Sequence, residues 1–253
     1  MGATVVIDAN ARDATDDDDR PDVTSYGTLA QLARGLRVPS GELQPTLEAI
    51  VQAAVRTVPG TDDAGLILVR RGALVPVATT GARPASLDES QAREKLGPCF
   101  DAAAEQEIKV VTNLAGDPRW PALHEAAAEL GVAGMVCVPL VLDDRTAGTL
   151  SLYSSRPGAF DDADLGFTEL FATHAALALG EAQRTEQLHH ALASRDLLGQ
   201  AKGILMERLR IGPDAAFAEL SVASQATNQK VVAVADHLVR TGELLGAEAR
   251  ARG

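Results

Sequence analysis

The sequence predicts an α+β fold, in which an antiparallel sheet with flanking helices is followed by a long helix and a small three-helix bundle. Paired apolar runs predict the sheet, because they flank the polar turns at residues 70–72 and 143–145 as the strands of hairpins do. A stretch without proline, residues 161–210, predicts the long helix, since Ala, Leu, Glu, Gln and Arg dominate it. The order of elements favours an α+β arrangement over a doubly wound parallel sheet.

Hydrophobic spacing places each element of the sheet domain. A first helix begins near Pro45, because Leu47, Ile50, Val51, Ala54, Val55 and Val58 recur at three-four spacing. The elements expected after it are strands at 64–69 and 74–79, a helix around 98–106, a strand at 108–112, a helix at 121–130 ended by Gly131, and strands at 132–142 and 146–153.

Three helices are expected at the carboxyl end of the chain. Gly212 and Pro213 end the long helix and start the next one. The second helix is expected to bury Ala216, Phe217, Leu220 and Ala223 or Ser224. The third has Asn228 as its expected N-cap and an apolar stripe formed by Val231, Val234, Ala235, Leu238 and Val239. About 50 residues is near the lower limit for an independently stable domain.

The middle of the long helix indicates self-association. Apart from Ala182 at its start, the segment 181–194 is polar except for Leu188, Ala191, Leu192 and Ala193, a stripe too thin to stabilise an isolated helix in water. Pairing with a second copy as a coiled coil is favoured over a bare linker, although the heptad is imperfect. The predicted organisation is a tail at 1–26, a sheet domain at 27–180, a coiled-coil linker at 181–193, a bundle at 194–245 and a flexible tail at 246–253.

The amino-terminal segment favours a cytoplasmic protein. A secretory signal has a basic segment followed by an apolar one, and the first twenty residues lack this pattern and contain four consecutive Asp residues at 16–19. This argues against a secretory signal, and the acidic run favours a disordered tail. A short helix is expected at 28–38. No window approaches the roughly 20 apolar residues that a membrane span needs.

The net charge of −12 is unevenly distributed. Residues 194–253 carry a net charge of +1, whereas residues 1–193 carry −13. Nucleic-acid binding needs local positive charge, so the acidic total does not exclude it for the carboxyl-terminal part.

The run at residues 193–208 and the positions that follow it resemble the ANTAR domain of transcription antitermination regulators. The matching positions are Arg195, Gln200, Ala201, Lys202, Gly203 and Met206, then the 215–217 triplet, Leu220, Ser224, the 228–231 run, Val234 and Ala235. The resemblance covers about residues 190–244. It implies a three-helix bundle that binds paired stem-loops in nascent mRNA, as a homodimer, and so prevents a terminator hairpin from forming.

The resemblance also implies an RNA-binding surface, whose expected members are Arg195, Gln200, Ala201, Lys202, Gly203, Met206, Ser224, Asn228, Gln229 and Lys230. Cations would hold phosphates, and amides or an apolar side chain would touch loop bases. Gly203 inside a helix costs about 0.5–1 kcal/mol against Ala, so it indicates close approach of a nucleic-acid backbone or of another helix. Tight packing is the alternative for Met206, and the core is the alternative for Ala201.

Residues 40–180 resemble a GAF domain, a fold that senses small molecules or signals. The resemblance is carried by residues 96–102, 110–114, 117–120, 130–132, 138–140 and 148–153. It implies the fold and a possible small-molecule signal, but it selects no ligand, and the residues indicate no cofactor.

Two other functions compete with RNA binding. A sensor whose carboxyl-terminal helices bind DNA or a protein partner would use the same bundle. A thiol-based GAF reductase would use Cys99 or Cys137, the only cysteines of the chain. No His residue stands in a pattern that would activate either thiol, so no catalytic residue is expected. Neither His124 nor the consecutive pair His189 and His190 has the spacing of a metal site, so no metal-binding residue is expected.

Overall fold

A five-stranded antiparallel sheet organises the first part of the chain. The computed structural model describes residues 41–246, so the expected tail at 1–26, the helix at 28–38 and residues 247–253 lie outside the described residues. The strands lie in the order β2-β1-β5-β4-β3, and every neighbouring pair is antiparallel. They are β1 (Asp63–Arg70), β2 (Ala73–Thr79), β3 (Lys109–Val111), β4 (Gly134–Leu142) and β5 (Arg145–Ser154). The α+β prediction is therefore confirmed.

Two tight turns set the register of this sheet. Asp143 and Asp144 join β4 to β5 with φ angles of 47° and 60°, and Arg71 and Gly72 join β1 to β2 with φ angles of 53° and 80°. Two consecutive positive φ angles match the right-handed twist of the flanking strands, which is why Asp and Gly are favoured at such positions. Both hairpins predicted from the sequence are confirmed.

Helices cover both faces of the sheet. In chain order they are α1 (Leu43–Thr57), α2 (Ala82–Glu94), α3 (Pro98–Glu105), α4 (His124–Leu130), α5 (Asp162–Leu209), α6 (Pro213–Thr227) and α7 (Val231–Thr241). Leu66 and Leu68 of β1 lie in a core that includes residues of α1 and α5, whereas Ile67 between them lies in a second core with residues of α2 and α3. Successive side chains of a strand point to opposite faces, so both faces of β1 are buried.

The structure differs from the sequence predictions around α2 and α4. Helix α2 was not located by spacing, because two of its four buried residues are the polar Asp88 and Gln91 rather than apolar ones. The expected helix at 121–130 divides into a 3₁₀ turn (Pro121–Leu123) and α4, which Gly131 ends with a φ of 65°.

The long helix α5 is confirmed as one uninterrupted element of 48 residues. The chain divides into two compact units, residues 1–183 and 184–253, so α5 contributes its first part to one unit and its last part to the other. Within residues 41–246, none of the helices is apolar over a stretch long enough to span a bilayer.

The second unit is a bundle formed by the end of α5 with α6 and α7. Ala201, Leu205, Leu220, Val234 and Leu238 are buried at its centre, contributed by all three helices. Gly212 and Pro213 separate α5 from α6 as expected, and Gly242 ends α7 with a φ of 78°.

Candidate functional site

The cations of the second unit fall into two groups. Arg210 pairs with Glu207, Arg240 pairs with Asp236, and Arg208 donates to the carbonyl oxygen of Gly242. Within residues 184–246, the cationic side chains with no ion pair or hydrogen bond to the protein are Arg184, Arg195, Lys202 and Lys230. Three of these four are the cations that the sequence placed at the RNA-binding surface. They are available to a phosphate without loss of an existing contact.

The face of α5 that carries two of these cations is exposed at Arg195 and half-buried at Lys202. Arg195 and Lys202 are two turns apart and lie on one side of the helix, with Gly199 between them. A Cβ atom added at Gly199 or at Gly203 would meet no atom within 4 Å. Packing inside the unit therefore does not account for either glycine.

Gln200 does not share this face. It lies two residues before Lys202, which places the two side chains roughly 200° apart around the helix axis. Gln200 is exposed, whereas Lys202 is half-buried. Gln200 therefore lies on the opposite flank of α5 from Lys202, and its place in the RNA-binding surface stays a prediction.

Two further members of the expected surface belong to the core. The side chain of Ala201 is 0% exposed and lies between the three helices. Met206 is half-buried and packs against the same core. We therefore correct the role of Ala201 from contact to packing, because an atom with no accessible surface cannot touch RNA in this conformation.

The turn between α6 and α7 presents the remaining predicted residues. Asn228 ends α6 with φ 50° and ψ 37°, and its N–H bonds to carbonyl oxygens at the end of that helix. The N–H of Gln229 bonds to the carbonyl oxygen of Ser224 at 3.1 Å, which completes the Schellman pattern of a left-handed helix end. The expected N-cap role of Asn228 is wrong, since the residue before α7 is Lys230. Asn tolerates the left-handed region better than most residues, which explains its presence here.

Ser224 holds this turn from the helix side. Its hydroxyl donates to the carbonyl oxygen of Gln229 at 2.5 Å. The turn is thereby tied to α6 through both backbone and side chain, and the exposed side chains of Gln229 and Lys230 project from a fixed loop.

Phe217 is a candidate that the sequence analysis missed. It was expected inside the bundle, but its side chain is 45% exposed, so that prediction is wrong. Phe217, Ser221 and Ser224 follow one another at spacings of four and three, so they lie on one face of α6. The neighbouring Ala216 and Leu220 fill the core instead. The alanines on either side, Ala216 and Ala218, gave no signal of which face Phe217 would take.

The interior of the first unit holds a polar cluster beneath α2 and α3. Asp88 is fully buried and accepts a hydrogen bond from the hydroxyl of Tyr153. Burial raises the pKa of Asp88 to about 7, against an opposing effect of the Tyr153 hydrogen bond. Gln91 accepts the N–H of Cys99 at 3.1 Å, and the Sγ atoms of Cys99 and Cys137 lie 3.3 Å apart. Among the described residues, Oδ2 of Asp88, Nε2 of Gln91 and Oγ1 of Thr149 have no hydrogen-bond partner.

Strand β5 explains why this interior is polar. Leu150 and Leu152 point into the core shared with α1, whereas Thr149, Ser151 and Tyr153 alternate with them and point to the opposite face. The hydrogen-bonding groups of the cluster therefore lie on one face of the sheet, inside the domain. No group of three or more His, Cys, Asp or Glu side chains within residues 41–246 is arranged to hold a metal ion.

Comparison with family models assigns both units. Residues 41–180 match the GAF domain, and residues 186–239 match the ANTAR domain. The first match covers more than half of the chain. The chain belongs to the GAF domain family. A GAF domain followed by an ANTAR domain supports an RNA-binding regulator with a sensor domain, and the ten predicted surface residues all lie within the ANTAR match.

Solved structures share the fold of the GAF domain. The GAF domain of a phosphoenolpyruvate-protein phosphotransferase from Coxiella burnetii aligns with a TM-score of 0.50 at 19% identity, over 64% of this chain and 95% of that chain. The corresponding Acinetobacter domain gives 0.50 at 15% identity, over 64% and 96%. A free methionine-R-sulfoxide reductase from Neisseria meningitidis gives 0.49 at 19% identity, over 62% and 89%. These identities show the fold alone, and no curated protein matches the chain.

Proposed function

We propose that this protein is a cytoplasmic, non-catalytic antitermination regulator that works as a homodimer. Each ANTAR bundle, residues 194–245, binds one of two stem-loops in a nascent mRNA and so prevents a terminator hairpin from forming. The coiled-coil linker at 181–193 joins the two copies, and the GAF domain acts as a sensor or dimerisation module. The observation that carries the proposal is the ANTAR match at 186–239 together with the unpaired cations that lie within it.

Charge explains how an acidic protein holds RNA. Phosphate contacts supply most of the affinity of nucleic-acid complexes, and they depend on local cations rather than on the total charge. Arg195 and Lys202 lie two turns apart on one side of α5, and Lys230 is the N-cap residue of α7. The first N–H groups of α7 add a partial positive charge beside Lys230, which suits a phosphate.

Base contacts would come from the exposed face of α6 and from the turn that follows it. Loop bases of RNA hairpins are unstacked and can be held by aromatic side chains. Phe217 offers an exposed ring on the face that also carries Ser224, and Gln229 offers an exposed amide from the fixed turn. This places a stacking group and a hydrogen-bonding group on the same helix and its end.

Selection from a pool of RNA hairpins with randomised loops tests the proposed function. The full-length protein should enrich a defined loop, and duplex DNA of equal length should fail to displace the selected hairpin. Displacement by duplex DNA would instead favour a DNA-binding regulator. Equal binding of unstructured RNA would remove hairpin recognition from the proposal.

Lys202→Ala should weaken RNA binding and reduce the salt dependence by about one counterion. The Lys202 side chain has no ion pair or hydrogen bond to the protein, so its removal leaves the bundle folded. The measurement is the slope of log K against log salt concentration, with the selected hairpin. Arg240→Ala is the matched control, because it removes the same charge from a side chain paired with Asp236. Equal slopes for Lys202→Ala and the unchanged protein would exclude Lys202 from the site.

Gly203→Ala should stabilise the bundle and weaken RNA binding. Ala favours the helix by roughly 1 kcal/mol, and the added Cβ meets open space. A methyl group would nevertheless hold the RNA backbone away, and we expect a loss of roughly tenfold in affinity, about 1.4 kcal/mol. Hydrogen exchange across α5 reports the stability, and hairpin binding reports the affinity.

Gly166→Ala is the matched control for this prediction. It lies in the same helix, in the first unit, and its added Cβ also meets open space. It should raise local stability with no effect on RNA. If Gly203→Ala bound RNA as tightly as the unchanged protein, no backbone would approach that position closely.

A further inference from the structure

The two cysteines of the chain meet inside the GAF domain. Cys99 is the second residue of α3, Cys137 lies in β4, and 38 positions separate them in sequence. Their Sγ atoms nevertheless lie 3.3 Å apart, and both side chains are fully buried. Two thiols brought together by tertiary structure need only a small movement to form a covalent bond.

We propose that Cys99 and Cys137 form a redox-responsive site in the GAF domain, in which a hydroperoxide converts the two thiols to one intramolecular disulfide. The proposal concerns the GAF domain alone and does not depend on RNA binding. The response is stoichiometric: each domain is oxidised once, and an external dithiol restores it.

The environment of the pair assigns different roles to the two sulfur atoms. The Ser151 hydroxyl lies 2.9 Å from Sγ of Cys99 but 3.9 Å from Sγ of Cys137. Cys99 also lies three residues from the exposed Leu96, at the second position of α3, whereas Cys137 lies within β4. Burial raises the pKa of Cys137 well above its ordinary value, and the adjacent Cys99 adds to this effect. Cys99 is therefore the attacking sulfur, and Cys137 is the resolving one.

The oxidation balances in two steps. Sγ of Cys99 attacks the O–O bond of the hydroperoxide, so an S–O bond forms, the O–O bond breaks, and an alcohol leaves with the thiol proton. Sγ of Cys137 then attacks Sγ of Cys99, so the S–S bond forms, the S–O bond breaks, and water leaves with the second thiol proton. Two thiols lose two electrons in total, and the hydroperoxide is reduced to an alcohol and water.

A short turn separates the thiols from solvent. Leu96 is 40% exposed, whereas Cys99 three residues later is 0% exposed. Lys95 and Gly97 on either side of Leu96 have φ angles of 54° and 130°. The side chain of Gln91 closes the turn from within, since its amide lies against Gly97 and accepts the N–H of Cys99. Opening of this turn admits a small oxidant to Cys99 first.

The test treats the full-length protein with tert-butyl hydroperoxide, followed by denaturation and alkylation with N-ethylmaleimide. Intact mass then counts the free thiols, and methionine oxidation is distinguished because it adds oxygen without consuming an alkylation site. We expect both thiols to be lost together within one chain and to return after treatment with dithiothreitol. Cys137→Ser should stop at a sulfenic acid on Cys99, which dimedone traps.

Ser151→Ala keeps both cysteines and supplies a second variant if a cysteine replacement fails to fold. It should oxidise roughly tenfold more slowly, because Cys99 loses the hydroxyl group that forms a hydrogen bond with its sulfur atom. Thermal melting of each variant reports folding. The proposal is overturned if the two thiols survive, if the disulfide joins two chains, or if Cys99→Ser leaves Cys137 reacting at the original rate.

Discussion

An RNA that carries two stem-loops should bind the full-length protein at least about 100-fold more tightly than an RNA that carries one of them. In the proposed dimer, the first stem-loop holds the second close to the free bundle. The second contact is then intramolecular, and its effective concentration exceeds that of a free hairpin in solution. The measurement is the dissociation constant of each RNA at one fixed salt concentration, because the phosphate contribution varies with salt.

The dimer in this prediction rests on the exposed leucines of α5. Leu188 is 59% exposed and Leu192 is 57% exposed, and they lie four residues apart on one side of the helix. Neither side chain belongs to a hydrophobic core of either unit. A second copy of the helix would cover them in a coiled coil.

Replacement of Leu188 distinguishes the contribution of the dimer to RNA binding from the affinity of one bundle for one stem-loop. Leu188→Glu should remove the preference for two stem-loops, because repulsion between two buried carboxylates would disrupt the pairing of the helices. Binding of a single stem-loop should hardly change. Gln187→Glu is the matched control, since it adds the same charge at the adjacent exposed position. Retention of the preference in Leu188→Glu, or its absence in the unchanged protein, would contradict the proposed dimer.

The parts of the fold that local chemistry determines were predictable from sequence. The hairpin turn at Asp143 and Asp144 and the uninterrupted helix α5 follow from turn residues and from the absence of proline. Helix α2 was missed because Asp88 and Gln91 occupy positions where spacing rules expect apolar residues. Those polar residues are buried for a tertiary reason, which periodicity does not report.

In the candidate RNA-binding surface too, some features follow from local sequence and others only from the assembled bundle. Arg195, Lys202 and Lys230 were predicted as available cations, and they lack ion pairs within the described bundle. Helix geometry separates Gln200 from Lys202, and the sequence motif conceals this because it lists both in one run. The exposure of Phe217 depends on which face of α6 meets the other helices, so only the assembled bundle shows it.

The polar cluster of the GAF domain could not have been predicted from spacing at all. Asp88 and Tyr153 are 65 residues apart, and Cys99 and Ser151 are 52 residues apart. Contacts over such separations arise only when α2 and α3 pack on the face of β5 that carries alternate polar residues. The sequence predicts the GAF domain, but only the tertiary structure shows which polar side chains meet in its interior.

Asp88→Asn should stabilise the GAF domain more at pH 8 than at pH 5, and its effect should be smallest below about pH 4. Burial raises the pKa of Asp88 from 3.8 to about 7, so the folded state binds a proton that the unfolded state has released between these values. Stability from this group is therefore complete below the unfolded pKa, declines as the pH rises, and levels off above the folded pKa. The decline is at most about 4 kcal/mol, since each pKa unit corresponds to about 1.4 kcal/mol.

The single tryptophan of the chain makes this measurement specific to the GAF domain. Trp120 is 4% exposed in the core beneath α2 and α3, so its fluorescence follows unfolding of that domain in urea. Asparagine cannot ionise but retains an oxygen that accepts the Tyr153 hydrogen bond. The difference in unfolding free energy between Asp88→Asn and the unchanged protein should thus grow from about pH 4 to about pH 7 and then become constant. Glu89→Gln, an exposed carboxyl on the same helix, should show no such growth. A difference independent of pH would mean that Asp88 is ionised throughout, held by charges that the structure does not place beside it.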